Sequence, residues 1–317
     1  CESIVGFEKM KPKGHLSKMQ IELRLIGLYS FIEECYDTQL HWQCQRFSNN
    51  NHQGNFTDVE VLTCYFFALL EEQKYQVKKM HGYIEKYWSS WFPRLPSYQA
   101  FNARLNRLSG ALPLLLGMLS EQLCPLPEIS GKDLLIDSVP IMLSKGKRKG
   151  KIAPQMADRT YSSSKGMYYY GLKLHWMGVS RAGKLPLPAW MDLTAASQHD
   201  LPSLRQILDQ LWGCRLFGDK AYLARDVEGQ LNKQYAQLFC PEKCKKGETE
   251  WEKTFNRAFR DLYGKAVSSV RQPIESFFNW IIEKVDIQNA SKVRSTKGLN
   301  VHVFGKAAAA MMILIGF

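Results

Sequence analysis

Three short stretches each present one carboxylate in a setting suited to metal ligation. They are Leu134-Leu135-Ile136-Asp137-Ser138, Leu216-Phe217-Gly218-Asp219-Lys220 and Arg271-Gln272-Pro273-Ile274-Glu275-Ser276. Asp137 and Asp219 each follow an apolar run of strand type. Glu275 opens an amphipathic stretch of helical type, with Phe277, Phe278 and Trp280 beside it. Taken alone, an Asp after a strand is usually a turn or cap residue. A lone Glu is more often a solvated first-turn acid. Three such carboxylates, at strand ends and on a helix, could hold a pair of divalent cations, a device that attacks phosphodiester bonds.

The elements that must position them change character along the chain. Residues 16–35 carry helical periodicity through Met19, Ile21, Leu25, Leu28 and Ile32. Thr57-Asp58-Val59-Glu60 is a capping box ahead of the apolar run Val61 to Leu70. Further helices are expected over Lys74 to Tyr87, from an N-cap at Ser97 through Leu108, and over Leu112 to Leu123, with Pro113 tolerated in the first turn. Pro125, Pro127 and Gly131 mark a linker. The reading is therefore an all-helical N-terminal domain, 1–130, and a second domain, 131–317.

Beyond the linker the period shortens. Strands are expected over Leu134 to Ile141, Met167 to Val179 and Leu185 to Leu193. The third belongs at an edge, because Pro186 and Pro188 cannot donate ladder hydrogen bonds. Then come a helix over Leu201 to Leu211 with Asp200 as its N-cap, a strand over Arg215 to Gly218, a helix over Ala221 to Asn232 and a strand over Ala236 to Cys240. Helices follow from Thr249 onward. This describes an α/β mixed sheet flanked by helices.

Composition narrows the classes. The length of 317 residues suggests about two domains. An apolar content of 45% and a charged content of 23% are ordinary for a globular chain. No apolar run reaches the ~18 residues of a membrane span; Ala307 to Phe317 reads as a buried terminal helix. The start is mixed polar and charged, unlike a secretory signal, and the eight Cys lack framework spacing. Reduced thiols in a cytosolic compartment are the expectation, with no membrane partner. Cys240 and Cys244 lack the second pair that a zinc site needs.

The net charge of +12 is unevenly spread. Residues 1–130 hold 13 Lys+Arg and 13 Asp+Glu, whereas residues 131–317 hold 29 and 17. The half with the carboxylates is the basic half, as a polyanionic substrate approaching acidic residues would require. Candidate DNA contacts are Lys145, Lys147, Arg148, Lys149 and Lys151 after the first strand, and Lys173 and His175 on the second. Lys243, Lys245, Lys246, Arg271, Lys284 and Arg294 extend the set. Such cations position a phosphate backbone without reading sequence. Arg104 and Arg107, one turn apart, are candidates for recognising DNA ends from the helical domain, although that region's neutrality equally suits a dimer interface.

Several of these stretches carry a resemblance. The chain resembles the DDE-type transposases of bacterial insertion sequences, and most closely the group 982 insertion sequences. Leu134 to Pro140 resembles the first catalytic strand of that family. Tyr170-Gly171-Leu172-Lys173-Leu174-His175 resembles its second-strand signature, and Thr194 to Asp200 the segment joining the third strand to the next helix. Gly218-Asp219-Lys220-Ala221-Tyr222 resembles the second Asp motif, and Arg271 with Glu275 the core of the Glu motif. Phe92 to Tyr98 with Phe101 resembles the helical N-terminal region. Two positions depart: Ser268 stands where relatives often have Tyr, and Ile282 where they tend to have Lys, with Lys284 nearest.

The resemblance implies an RNase H-like core, with Asp137 on the central strand, Asp219 at the end of an adjacent one and Glu275 on a late helix. It also implies a DNA transposase in which Asp137, Asp219 and Glu275 are catalytic and hold two Mg²⁺ ions, with Mn²⁺ as a substitute. The expected chemistry is hydrolysis at the terminal inverted repeats, then transfer of the freed 3′-hydroxyl to target DNA, on ends paired by a homodimer. A non-catalytic DNA-binding descendant and an RNase H-like nuclease are the alternatives. The former should have lost a carboxylate, and the latter should lack the helical N-terminal region.

Overall fold

The computed structural model describes residues 17–45, 54–125, 129–146, 150–162, 165–242 and 247–317. Helix α1, Lys18–Cys35, starts at a capping box between Ser17 and Gln20. It runs through a π-helical turn, Tyr36–Leu40, into the short α2, His41–Cys44. Helix α3, Asp58–Glu72, starts at the expected box of Thr57 and Glu60. It closes at Gln73, whose φ of 49° is left-handed. Gln76 is extended, so α4 spans Val77–Tyr87 and begins later than Lys74. Helices α5, Tyr98–Arg107, and α6, Ala111–Leu123, complete the helical region.

Six strands follow: β1, Asp133–Lys145; β2, Asp158–Ser162; β3, Met167–Arg181; β4, Lys184–Ala195; β5, Arg215–Phe217; and β6, Gln237–Phe239. They form one sheet in the order β2-β3-β1-β5-β6, with β4 also on β3. Strands β1, β3 and β4 pair antiparallel, whereas β1–β5 and β5–β6 are parallel. This mixed order, with β1 central, is the RNase H-like arrangement. Strand β2 was not expected. It pairs with Met167–Gly171, while β4 takes Leu172–Arg181 of the same edge. Its polar residues, Asp158-Arg159-Thr160-Tyr161-Ser162, offer no apolar alternation to read. Strand β4 pairs with β3 alone, so Pro186 and Pro188 sit at an edge. Gly171 is required where β3 crosses β1: a Cβ there would lie 1.9 Å from the Ile141 carbonyl oxygen.

Helix α7, Leu201–Ile207, and α8, Arg225–Lys233, connect the parallel strands. Helix α9 is a single 36-residue helix, Glu250–Val285, opened by a capping box of Thr249 and Glu252. Glu275 therefore lies deep inside a helix instead of opening one. Pro273 removes one backbone donor at that point. The helix continues because Val267, Ile274, Phe277, Phe278 and Ile281 are buried along one face. Toward its start the same helix exposes Trp251, Phe255, Phe259 and Leu262.

The chain ends in α10, Thr296–Asn300, a π-helical turn, Val301–Gly305, and α11, Lys306–Ile315. Together, Thr296–Ile315 is long and apolar enough to cross a membrane, but 67% of the apolar stretch is buried within the protein. Ala307–Met312 serve the core.

Strand alternation divides that core. Leu135, Val139, Leu174 and Trp176 face one side of the sheet, under α3, α6, α9 and α11. Leu134, Ile136, Met177 and Val179 face the other, under α7 and α8. The first cluster runs without interruption from Leu25 of α1 to Met312 of α11. The boundary expected at residue 130 therefore does not separate two cores. The helical region and one sheet face share a single one, because α6 and the C-terminal helices lie between them.

Candidate active site

Asp137 sits on the central strand opposite Trp176 of β3. By alternation its side chain shares a face with Leu135 and Val139, toward α9. Parallel pairing sets Asp133 beside Arg215 and Leu135 beside Phe217. Strand β5 ends at Phe217, and Asp219 follows just beyond it, near enough for its charge to act on Asp137. Gly218 lets the chain make that approach, since a Cβ there would meet Tyr222 at 3.0 Å and Ile136 at 3.3 Å. The Asp219 carboxylate then accepts the Ala221 N–H at 2.7 Å, an Asx turn that delays helix α8 from Ala221 to Arg225.

Helix α9 packs across β1, β4 and β5 and brings Arg271 and Glu275, one turn apart, over this point. Arg271 is buried, and its Nη2 donates to Asp137 Oδ2 at 2.9 Å. Its Nε, also buried, has no partner among the described residues. Asp137 Oδ1 accepts the Ser138 N–H at 2.8 Å. Burial pushes the Asp137 carboxyl up to about 6, the Arg271 guanidinium and the Ser138 N–H pull it down, and the charges of Asp219 and Glu275 raise it again. The charges of Asp219 and Glu275 thus both act on the half-buried Asp137. The donor set, all carboxylate oxygen, suits a hard cation such as Mg²⁺. Among the described residues, however, no three His, Cys, Asp or Glu side chains are gathered closely enough to form a metal cage. Arg271 takes one Asp137 oxygen, and Glu275 remains exposed.

The other candidates divide sharply. His175 does not face DNA. It lies on the opposite face of the sheet from Asp137, next to Ser138, and is fully buried. Its Nε2 lies 2.8 Å from Thr194 Oγ1 and its Nδ1 3.5 Å from Tyr222 Oη. Burial lowers its pKa despite Asp200 and Asp192 nearby. Lys173, on that same face, donates to Asp200 at 2.7 Å and to the Gln198 carbonyl at 2.6 Å. Asp200 is accordingly occupied by Lys173 and makes no side-chain cap for α7. Lys173, His175, Thr194, Asp200 and Tyr222 form a polar layer on the far side of the sheet from Asp137. Burial, then the charges of Asp200, Asp137 and Asp219, hold the Tyr222 hydroxyl well above its usual pKa. Thr194 and Tyr222 were missed as partners of His175. The alternation of β4 against β3 was the available signal, since Thr194 pairs Lys173 and Asp192 pairs His175.

Arg104 and Arg107 are also committed elsewhere. Both donate to Oδ1 of the fully buried Asp58, at 3.0 and 2.9 Å, so they staple α5 to the start of α3. Lys284 pairs with Glu283 at 3.2 Å, and Arg294 donates to the Ser291 and Val293 carbonyls. Lys145 and Lys151 are exposed. Lys147, Arg148, Lys149, Lys243, Lys245 and Lys246 lie outside the described residues, as does Cys244 of the considered zinc pair. Ser268 is exposed and Ile282 half-buried on α9.

A family model described as a transposase DDE domain matches residues 130–312. No curated protein matches the chain. Among solved structures, the crystal structure of a pre-cleavage Mos1 transpososome is similar over 96% of this chain and 99% of that one, at 11% identity and a TM-score of 0.21.

Proposed function

The chain belongs to the transposase DDE domain family, and we propose that it is a metal-dependent DNA transposase of the insertion-sequence type, with Asp137, Asp219 and Glu275 as its catalytic acids. The group 982 insertion sequences are the closest assignment, on the motifs of its second and third strands. The observation that carries the reading is that Asp219, just past the end of the strand parallel to β1, and Glu275 of α9 both lie near enough for their charges to act on Asp137.

Mg²⁺ or Mn²⁺ held by these carboxylates would supply Lewis-acid activation of the nucleophile and stabilisation of the leaving oxygen. The protein's own part is positioning. Asp137 must be ionised, which the raised pKa makes effective only above about pH 6. Arg271 neutralises it in the meantime. Arg271 Nε, which has no partner among the described residues, could donate to a non-bridging phosphate oxygen, and Nη2 could join it where a cation held by the carboxylates takes over the neutralising of Asp137. Glu275, exposed on α9, stands near enough for its charge to act on Asp137 and would complete the carboxylate set. The overall exchange is a water oxygen joining phosphorus as the P–O3′ bond breaks, which leaves a 3′-hydroxyl. That hydroxyl then displaces a 3′-oxygen in target DNA. Two ends processed together call for two copies of the chain. The helical region, 1–130, contributes end binding or dimer contacts as part of the shared core.

The test is a nicking assay on DNA carrying the terminal repeats that flank the coding sequence, with Mg²⁺ or Mn²⁺. Cleavage at the repeat boundary supports the proposal. Binding without cleavage selects the non-catalytic descendant, and structure-selective cutting of unrelated DNA or RNA–DNA hybrid selects a nuclease.

A further inference from the structure

A second cavity, of about 440 Å³, opens at the seam between the helical region and the C-terminal helices. Its walls come from α4, α5, α10, α11 and the segment after α9. Tyr75 lines one side. Asn102 and Asn106 of α5 line another, with the Asn106 amide donating to the Asn102 carbonyl at 2.7 Å. Lys78 and Lys292, both exposed, stand at the rim, and neither side chain has a partner among the described residues.

Lys306 lies in the wall with only 2% exposure. A lysine is almost never that buried without an acidic partner. Here the Nζ donates to the Asp286 carbonyl at 2.8 Å and lies 5.5 Å from the centre of the Tyr75 ring. An ammonium has three donors, and no carboxylate meets this one. Asp286, the one acid in the wall, is engaged by Asn289 at 2.6 Å. His302, also in the wall, adds no charge, since burial drives its pKa down to about 3. The cavity wall therefore carries more cations than acids, with Lys78, Lys292, Arg294 and Lys306 against Asp286, is aromatic on one side and is lined with amides.

The volume suits a single small ligand and excludes a duplex. Amide and ammonium groups are those that read exposed base edges: Asn pairs with adenine and Lys with guanine oxygens. In a duplex those edges are reached only along the groove, and a base can enter a cavity of this size and offer both of its faces only when unpaired. The cavity is also connected to the catalytic strand. Asn289 in its wall bridges to Met142, five residues along β1 from Asp137, or roughly 17 Å at strand rise. On its other side it adjoins a larger cleft that shares Tyr75, Gln76 and Asp286 and carries Lys74 and Lys79.

We propose that this cavity receives one unpaired nucleotide of the DNA strand bound at the carboxylates, its base against Tyr75, Asn102, Asn106 and Lys306 and its phosphate against Lys78 and Lys292. The proposal rests on the transposase reading and moves end recognition away from Arg104 and Arg107. A strand crossing from Asp137 to this seam would deliver a nucleotide a few positions from the bond that is cut.

Fluorescence anisotropy of the full chain tests it, with a labelled blunt duplex and the same duplex bearing an unpaired tail. The tailed DNA should bind about tenfold more tightly, the effect of one to two stacked and contacted bases. Lys292→Ala and Lys78→Ala, both at the surface, should erase that preference while the blunt duplex binds nearly as before. Lys306→Met should erase it too, and the surface variants decide the matter if that one fails to fold. A nucleoside monophosphate that competes away the tail preference supports the same site. Equal binding of tailed and blunt DNA, or a preference that survives Lys292→Ala and Lys78→Ala, overturns the proposal. A nucleoside monophosphate that binds without any tail preference rejects DNA as the source of the nucleotide. A wild-type chain that binds neither DNA refutes the transposase reading itself, a separate outcome.

Discussion

Asp58 and Asp137 are both acids inside the fold that meet arginine, and their surroundings make them opposites. Asp58 is fully buried and takes two guanidinium groups, from Arg104 and Arg107. One negative charge there faces two positive ones, and the site is complete. Asp137 meets one, from Arg271, while Asp219 and Glu275 add two further negative charges within electrostatic reach. The first arrangement holds two helices together. The second is left short of positive charge, as the proposed cation site requires. Counting charges around a buried acid therefore separates a staple from a site, where burial or an arginine partner alone does not.

The largest contrast concerns turnover. Asp137→Asn should lower cleavage of end DNA on the order of a thousandfold, since several kcal/mol of transition-state stabilisation go with a ligand to the metal. Binding of the same DNA, read by anisotropy, should persist. Normal cutting by this variant would remove Asp137 from the chemistry and erase the contrast. Next comes stability. Arg104→Ala with Arg107→Ala strands the Asp58 charge in the core and should cost about 3 kcal/mol, the low end for a broken buried pair because both arginines are partly open to water. Urea denaturation measures it. DNA affinity should hardly change, and a loss of DNA binding without a loss of stability would return these arginines to the DNA interface.

The smallest effect sharpens the comparison through pH. The Asp137 carboxyl is raised in the fold from 3.8 to about 6. Between those values the folded state holds more protons than the unfolded chain, so stability from this group is present below about pH 4 and is lost as pH rises through 6. Asp137→Asn should therefore gain on the metal-free wild type as pH climbs from 4 to 7, by about 2 kcal/mol. Melting temperatures across that range show it. Mg²⁺ should stabilise the wild type at pH 7 and leave the variant unmoved. A variant that loses ground with rising pH would mean that the Arg271 pairing outweighs burial.

Much of this was legible in the sequence because it rests on local patterns. The capping box at Thr57, the helix start at Thr249, the cap at Ser97 and the two apolar strands that lead to the aspartates all stand where short-range signals put them. Strand β2 was not legible, since it is polar and borrows its order from the free edge of β3. Pro273 and Glu275 suggested a helix start, but apolar burial over the length of α9 overrode the local break. At the site, the strand ends could be read and the sides could not. His175 looked like a neighbour of Asp137 in sequence terms, yet its pairing with Ser138 turns it to the reverse of the sheet. The partners of Arg104 and Arg107 were out of view because Asp58 is 46 and 49 residues away. A charge that looks idle in sequence is idle only if nothing distant folds onto it.

The apolar cluster that runs from Leu25 to Met312 has a genetic corollary. A copy of the gene that has lost its first third, with Asp137, Asp219 and Glu275 intact, would encode α6 and α11 with the apolar faces that the earlier helices cover laid open. Such a polypeptide would clump before it could meet a chromosome. Decay of the coding sequence from its beginning would thus silence the product as surely as a lesion at any of its carboxylates.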